Sequence, residues 1–164
     1  MDYWNRDVLV LGCGNVLFGD DGFGPGAAKY LKEHYDIPET VFVGDVGTSV
    51  REILFDSALA ERRAKAIVIL DAMDRGMSPG DVFEVPIDEL PEKKTDDFCM
   101  HTMASQNMLR ELVKTGVEVK ILACQVANIP AEVAPGLSPA LEKAMPAFCD
   151  RLTELVPSIK KSSR

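Results

Sequence analysis

The feature that most constrains the fold of this chain is a regular alternation of short apolar runs with helical patterns. The runs are DVLVL (7–11), VFVGDV (41–46) and KAIVIL (65–70), and such short, branched runs are typical of strands buried on both faces of a sheet. Segments 24–35 and 49–59, which lie between them, place apolar residues at helical spacing. The pattern predicts an α/β fold, a three-layer α/β/α sandwich around a mainly parallel sheet.

The alternation breaks after the third strand. Only residues 74–80 separate it from a fourth predicted strand at 81–86, whereas a parallel crossover needs about a dozen residues or more. Strand four is therefore predicted to run antiparallel, and Pro86 at its end suits an edge position. The remaining predicted elements are a helix over 101–115, a fifth strand over 118–126 and a helix over 138–156.

Composition and charge exclude several classes of protein. The chain has 164 residues, of which 46% are hydrophobic, and this fits a single domain over residues 1–164 with a frayed tail at 158–164. A net charge of -8 without a basic stripe argues against a nucleic-acid partner. The sequence has no N-terminal signal pattern and no apolar stretch of about 20 residues, so we expect a cytoplasmic protein without a membrane partner.

The four cysteines are widely separated and form no C-x-x-C pair. They are Cys13, Cys99, Cys124 and Cys149, and we expect free, buried thiols rather than disulfides or a zinc ribbon. A cysteine protease would pair a thiol with a histidine. Cys99 stands only two residues from His101, where a productive nucleophile and base are not assured.

Polar side chains follow several predicted strands, and open α/β sheets bind ligands beyond the carboxyl ends of their parallel strands. A Gly-rich loop at 12–24 brings Asp20 and Asp21 to the start of a helix. Asp71 ends a wholly apolar strand, where a carboxylate is costly unless it is paired, liganded or hydrated. His101 begins the helix after strand four.

Two carboxylates and one imidazole would suit nickel or zinc and leave coordination positions open. Asp21 with Asp71 is also the sensible catalytic carboxylate pair, because Asp20 and Asp21 are sequence neighbours that tend to point apart. Purely structural roles stay open as alternatives: Asp20 or Asp21 could cap a helix, and His101 could be a surface or capping residue.

A dinucleotide site is the other interpretation of the glycine loop. Gly-x-Gly at 12–14 follows the first strand, and Asp45 mimics the acidic ribose contact. However, Leu17 occupies the place of the third glycine, and Asp20 and Asp21 would bring negative charge to the pyrophosphate. We expect no dinucleotide, although a nucleotide-binding regulatory domain remains an alternative.

Four segments together resemble the hydrogenase maturation endopeptidases. They are LVLGCGNVLFGDDGFGP (9–25), GDVGT (44–48), ILDAM (69–73) and CMHTM (99–103). The likeness is nearest to the branch that serves deazaflavin-coenzyme-reducing hydrogenases of methanogens. It departs from the family pattern at Asp21, where some relatives have Glu, and at Val46, where Gly is frequent.

The resemblance implies a five-stranded mixed sheet of order 2-1-3-5-4 with strand four antiparallel. It also implies that Asp21, Asp71 and His101 are metal ligands and that Asp45, Gly47 and Thr48 lie near the substrate. Members of the family cut a C-terminal extension from the large-subunit precursor of a nickel-iron hydrogenase after nickel has been inserted.

We therefore expect a metal-directed endopeptidase of the aspartic type that recognises nickel in its substrate, with Asp21 and Asp71 as catalytic candidates. A nickel-dependent checkpoint or chaperone that binds the precursor without cutting it is the alternative, because the sequence holds no independent nucleophile motif.

Overall fold

The helices and strands come from a computed structural model, which describes residues 3–90 and 106–163. The strands are β1 (Val8–Cys13), β2 (Tyr35–Asp36), β3 (Val41–Gly47), β4 (Ala66–Met73), β5 (Val82–Glu84), β6 (Glu118–Gln125) and β7 (Lys160–Lys161). The α-helices are α1 (Phe23–His34), α2 (Val50–Leu59), α3 (Gln106–Lys114) and α4 (Pro139–Leu155). Short 3-10 turns lie at Gly19–Gly22 and Ile87–Glu89.

The central sheet has five strands in the order β3-β1-β4-β6-β5. All neighbours pair in parallel except β5, which runs antiparallel to β6. The predicted strands one to five correspond to β1, β3, β4, β5 and β6. The predicted α/β fold, sheet order and antiparallel fourth strand are therefore confirmed. The short connection between β4 and β5 is the physical reason for the reversal.

Helices bury both faces of this sheet. On one face, Val10, Val68 and Leu122 pack against side chains of α1 and α4, where Phe23 and Phe148 meet edge to face at 4.8 Å. The other face contributes Leu9, Leu11, Ile67 and Ile69 to a second core with α2 and α3. Because neighbouring residues of β1 and β4 serve opposite cores, both strands are apolar along the stretches Val8–Leu11 and Ala66–Leu70.

The expected fraying of residues 158–164 is wrong for much of that segment. β7 pairs antiparallel with β2, the amide of Ser162 donates to the carbonyl of His34 at 2.9 Å, and Ile159 is buried. The backbone that follows α1 offers unpaired groups, and the end of the chain satisfies them. Among the described helices, none is long and apolar enough to cross a membrane.

Candidate functional site

The first turn of α1 lies directly on the carboxyl ends of β1 and β4. A Cβ atom at Gly24 would stand 2.2 Å from the carbonyl oxygen of Cys13 and 2.4 Å from that of Leu70, so only glycine allows this approach. Asp71 follows Leu70, and Asp21 precedes α1. The backbone contact therefore brings the two predicted carboxylates to the same end of the sheet.

Asp71 is buried near the end of β4, with 3% of its surface exposed. The amide of Ala72 donates to its Oδ1 at 2.8 Å. Burial raises the pKa of Asp71 well above its ordinary value, the nearby charge of Asp21 raises it further, and the Ala72 amide opposes both. Asp71 therefore holds a proton far more readily than a solvated aspartate, and the two carboxylates are close enough to repel each other.

Asp21 lies in the 3-10 turn before α1 and is 5% exposed. Its Oδ2 accepts a hydrogen bond from the amide of Asn15 at 3.0 Å. Burial raises the pKa of Asp21, and the Asn15 amide partly offsets this. Gly14 has a φ of 135°, and a Cβ there would stand 1.9 Å from the Asp21 carbonyl oxygen, so the loop closes around Asp21 only with glycine at this position.

Asp20, the neighbour of Asp21, accepts hydrogen bonds at both of its carboxylate oxygens. Its Oδ2 accepts hydrogen bonds from the amides of Ala127 and Asn128, at 2.9 and 3.0 Å, and from the Ser138 hydroxyl at 3.0 Å. Its Oδ1 accepts the Ser138 amide at 2.7 Å. Neither aspartate caps its own helix, since both helix starts lack a side-chain cap. Asp20 instead binds the residue that precedes α4.

The described cysteines, Cys13, Cys124 and Cys149, are buried and free, as expected. Burial raises the pKa of Cys124 and of Cys149 to about 12. Burial also raises the pKa of Cys13, and the charges of Asp71 and Asp45 raise it further, which places this thiol between the ends of β3 and β4. None of these three thiols has the lowered pKa that a nucleophilic cysteine needs.

The loop after β3 contains Asp45, Gly47 and Thr48. Oδ1 of Asp45 accepts the amide of Gly47 at 2.8 Å, and the Gly47 carbonyl in turn accepts the amide of Gly14 at 3.0 Å. Asp45 and Thr48 are exposed and Gly47 is half-buried. The hydrogen bonds connect this loop to the glycine loop beside Asp21, and the assignment of these three residues to substrate binding stays a prediction.

A groove of about 430 Å³ runs past the acidic turn. Gly19 and Gly22, the two ends of that turn, line it, and Asp45 lines it as well. Gly136 and Leu137, from the loop between β6 and α4, also line the groove. The groove therefore borders the turn that contains Asp21, although neither Asp21 nor Asp71 lines it.

Gln125, at the end of β6, was not identified from the sequence. Its side chain is 3% exposed, and its Oε1 accepts the amides of Arg75 and Met77 at 2.7 and 3.2 Å. Its Nε2 donates to Oδ1 of Asp74 and to the Val126 carbonyl, both at 3.0 Å. Gln125 thus fixes the loop that follows β4. A polar residue that ends the apolar run ILAC is the same signal that singled out Asp71.

His101 and Cys99 lie outside the described residues. Within 3–90 and 106–163, no three His, Cys, Asp or Glu side chains are grouped closely enough to hold a metal ion. Asp21 and Asp71 lie close enough for the charge of Asp21 to raise the pKa of Asp71. The assignment of these two residues and His101 to a metal site stays a prediction.

Comparison with known proteins gives consistent matches. The family model described as hydrogenase maturation protease (HycI) matches residues 25–155. A protein of Methanocaldococcus jannaschii assigned to the hydrogenase maturation proteases is 35% identical over 152 residues, which span 92% of this chain and 94% of that protein. Coenzyme F420 hydrogenase subunit delta of Methanothermobacter thermautotrophicus is 32% identical over 147 residues, or 87% of this chain and 90% of that protein.

Among solved structures, the hydrogenase maturating endopeptidase HybD of Escherichia coli superimposes with a TM-score of 0.72. It is 25% identical, and the superposition covers 96% of this chain and 98% of that one. The likeness extends over nearly the whole of both chains.

Proposed function

This chain belongs to the hydrogenase maturation protease family, as its motifs predicted, and we propose that it removes a C-terminal extension from the large-subunit precursor of a nickel-iron hydrogenase. We further propose that nickel in the precursor is the recognition element and that Asp21, Asp71 and His101 receive it. The observation that carries the proposal is a pair of buried carboxylates with raised pKa values at the carboxyl edge of the sheet.

The chemistry of this pair suits a divalent cation. Each carboxylate accepts one backbone hydrogen bond, from Asn15 to Asp21 and from Ala72 to Asp71. Among the described residues no cationic side chain forms an ion pair with either of them. Two carboxylates brought together without a cation repel each other, and a divalent ion would remove that repulsion. Nickel that is already held by the precursor would arrive at high effective concentration.

Asp21 and Asp71 are also the groups available for water activation. A general base works best when its pKa lies near the working pH, and burial moves both carboxyl groups in that direction. In the proposed reaction, one of the two accepts a proton from water as the water attacks the scissile carbonyl, and it then gives this proton to the leaving amine as the C–N bond breaks. Nickel in the substrate can polarise that carbonyl.

The test incubates the purified protein with nickel-loaded and nickel-free precursor and measures the products by intact mass. Only the nickel-loaded precursor is expected to lose a C-terminal peptide. Asp71→Asn and His101→Ala should abolish the cleavage. Cleavage of the nickel-free precursor at the same rate would contradict nickel-directed recognition.

Asp7→Asn is the matched control, because it alters a carboxylate at the opposite end of β1. Asp7 accepts hydrogen bonds from Arg62 and Lys65 and lies outside the groove. This variant should cleave like the wild type.

A second candidate function is a checkpoint that binds the precursor and does not cut it. The relative named as the delta subunit of coenzyme F420 hydrogenase favours it, because that name describes a component of a hydrogenase. Nickel-dependent binding of the precursor with no change in its mass, under conditions where a known maturation protease cleaves it, would support the checkpoint instead.

A further inference from the structure

Asp20 is a buried carboxylate that the proposed chemistry does not use. It is 1% exposed and accepts four hydrogen bonds, three from backbone amides and one from a hydroxyl group. We propose that Asp20 is a positioning residue that sets the width of the substrate groove. The proposal rests on the function proposed above, since it concerns how the precursor segment is held.

The four hydrogen bonds hold both ends of one loop. Ala127 and Asn128 begin the connection from β6 to α4, and Ser138 ends it. A single side chain therefore closes the loop 127–138 at its base. Loss of the carboxylate would free both ends together, because the three amides involved would lose their acceptor at once.

The middle of the loop is held against the same segment as its ends. Ala134 donates its amide to the Leu17 carbonyl at 2.8 Å, and its carbonyl accepts the Gly19 amide at 2.9 Å. Gly19, Gly136 and Leu137 all line the groove. The contacts of segment 17–20 with the loop thus hold these two parts of the groove lining in a fixed relation to each other.

Only a carboxylate satisfies this arrangement. Both oxygens of Asp20 face donors, so an amide at position 20 would place its NH₂ group against an N–H in either orientation. Asp20→Asn is therefore expected to keep part of the arrangement, and Asp20→Ala to lose all of it. Ser138→Ala removes only the hydroxyl hydrogen bond and keeps the backbone one, so it should have the smallest effect.

The experiment measures the Kd of the nickel-loaded precursor for each variant under conditions without turnover, and kcat and KM where cleavage occurs. Asp20→Ala should weaken binding about tenfold and Asp20→Asn about threefold, because the precursor must then order a loop that the wild type holds ready. The kcat should stay within about twofold of the wild type, since Asp21 and Asp71 are unchanged.

Two controls separate groove width from general destabilisation. Tyr35→Phe removes the 2.6 Å hydrogen bond from Tyr35 to Asp150, neither of which lines the groove, and should lower the Tm without changing the Kd. Amide exchange at Ala127, Asn128 and Ser138 should accelerate in the Asp20 variants only. This readout needs no precursor.

Faster exchange at these amides with an unchanged Kd would overturn the inference, because the loop would then move without affecting the precursor. Unchanged exchange in Asp20→Asn, the milder variant, would overturn it as well. If the wild type binds the precursor and cleaves nothing, the peptidase proposal fails, and the Kd series still decides the role of Asp20.

Discussion

At the amino ends of β1 and β4, the Asp7 carboxylate accepts hydrogen bonds from Arg62 at 3.2 Å and Lys65 at 3.1 Å. At the carboxyl ends of the same strands, Asp21 and Asp71 form no ion pair with any residue of the described ranges. The Lys65 ammonium lowers the pKa of Asp7 most, and Arg62 lowers it further, whereas burial raises the pKa of Asp71.

The difference separates a stabilising aspartate from the two aspartates proposed to be functional. An aspartate with cationic partners is more acidic in the folded chain, so its charge favours folding. An aspartate buried without a cation disfavours folding in its charged form, and such a group is retained where it has a task. The carboxyl edge therefore has lower intrinsic stability than the amino edge, and a cation bound there would offset part of the cost.

The largest expected effect is on activity. Asp71→Asn should reduce cleavage of the nickel-loaded precursor by about a thousandfold or more, because it removes a metal ligand or base while it keeps the acceptor for the Ala72 amide. Single-turnover rates measured by intact mass give the comparison with Asp7→Asn. Similar cleavage rates for the two variants would contradict the proposal that the carboxyl edge, and not the amino edge, carries the activity.

The next effect concerns the backbone contact that brings the carboxylates together. Gly24→Ala should lower the free energy of unfolding by about 3 kcal/mol, since its Cβ would meet two backbone carbonyls that cannot rotate away. Gly26→Ala in the same helix is the matched variant. Its Cβ would meet the flexible side-chain tips of Met145 at 3.3 Å and Leu137 at 3.8 Å, and alanine favours the helix, so stability should change little or rise. Urea denaturation measures both, and equal losses would contradict the proposed close packing.

A smaller effect should appear in the metal-free protein. Asp71→Asn is expected to raise the free energy of unfolding by about 1–2 kcal/mol at neutral pH. The raised pKa means that protonated Asp71 favours the fold and that this contribution is lost as pH rises. The gain should therefore shrink on acidification, as the wild-type carboxyl becomes neutral. Denaturation curves at a series of pH values test this. A gain in the free energy of unfolding that grew toward low pH would contradict the raised pKa of Asp71.

The smallest effect should come from the amino edge. Asp7→Asn should lower the Tm slightly, because Asp7 is partly exposed and its ion pairs are screened by solvent. A lowered pKa means that the contribution is present above the pKa of the unfolded chain and is lost as pH falls through the folded value. Thermal scans should show the difference at neutral pH, with less at high salt. A difference in Tm that persists at high salt and at acid pH would show that the ion pairs of Asp7 are not its cause.

Much of the fold could be predicted from local pattern. The apolar runs of β1, β3 and β4 indicated doubly buried strands, and the short connection to β5 required a reversal of direction. β2 and β7 escaped prediction because each has two residues, too few for any periodicity.

The site was partly predictable for a related reason. Asp71 is conspicuous because a carboxylate ends an apolar run, whereas the partners of Asp20 lie up to 118 residues away in sequence and leave no local signal. The sequence could indicate that one of two adjacent aspartates is structural. Only the three-dimensional arrangement shows that Asp20 is the one with four donors and Asp21 the one beside Asp71.

The raised pKa of Asp71 has a consequence for the proposed metal site. A free divalent ion that bound to Asp71 would have to displace a proton from a group whose pKa burial has raised, so the apparent affinity for the ion would fall. If Asp71 is a metal ligand as proposed, the site would compete poorly for free zinc or copper. Selectivity of this kind would come from the protonation of a carboxyl group rather than from the shape of the site.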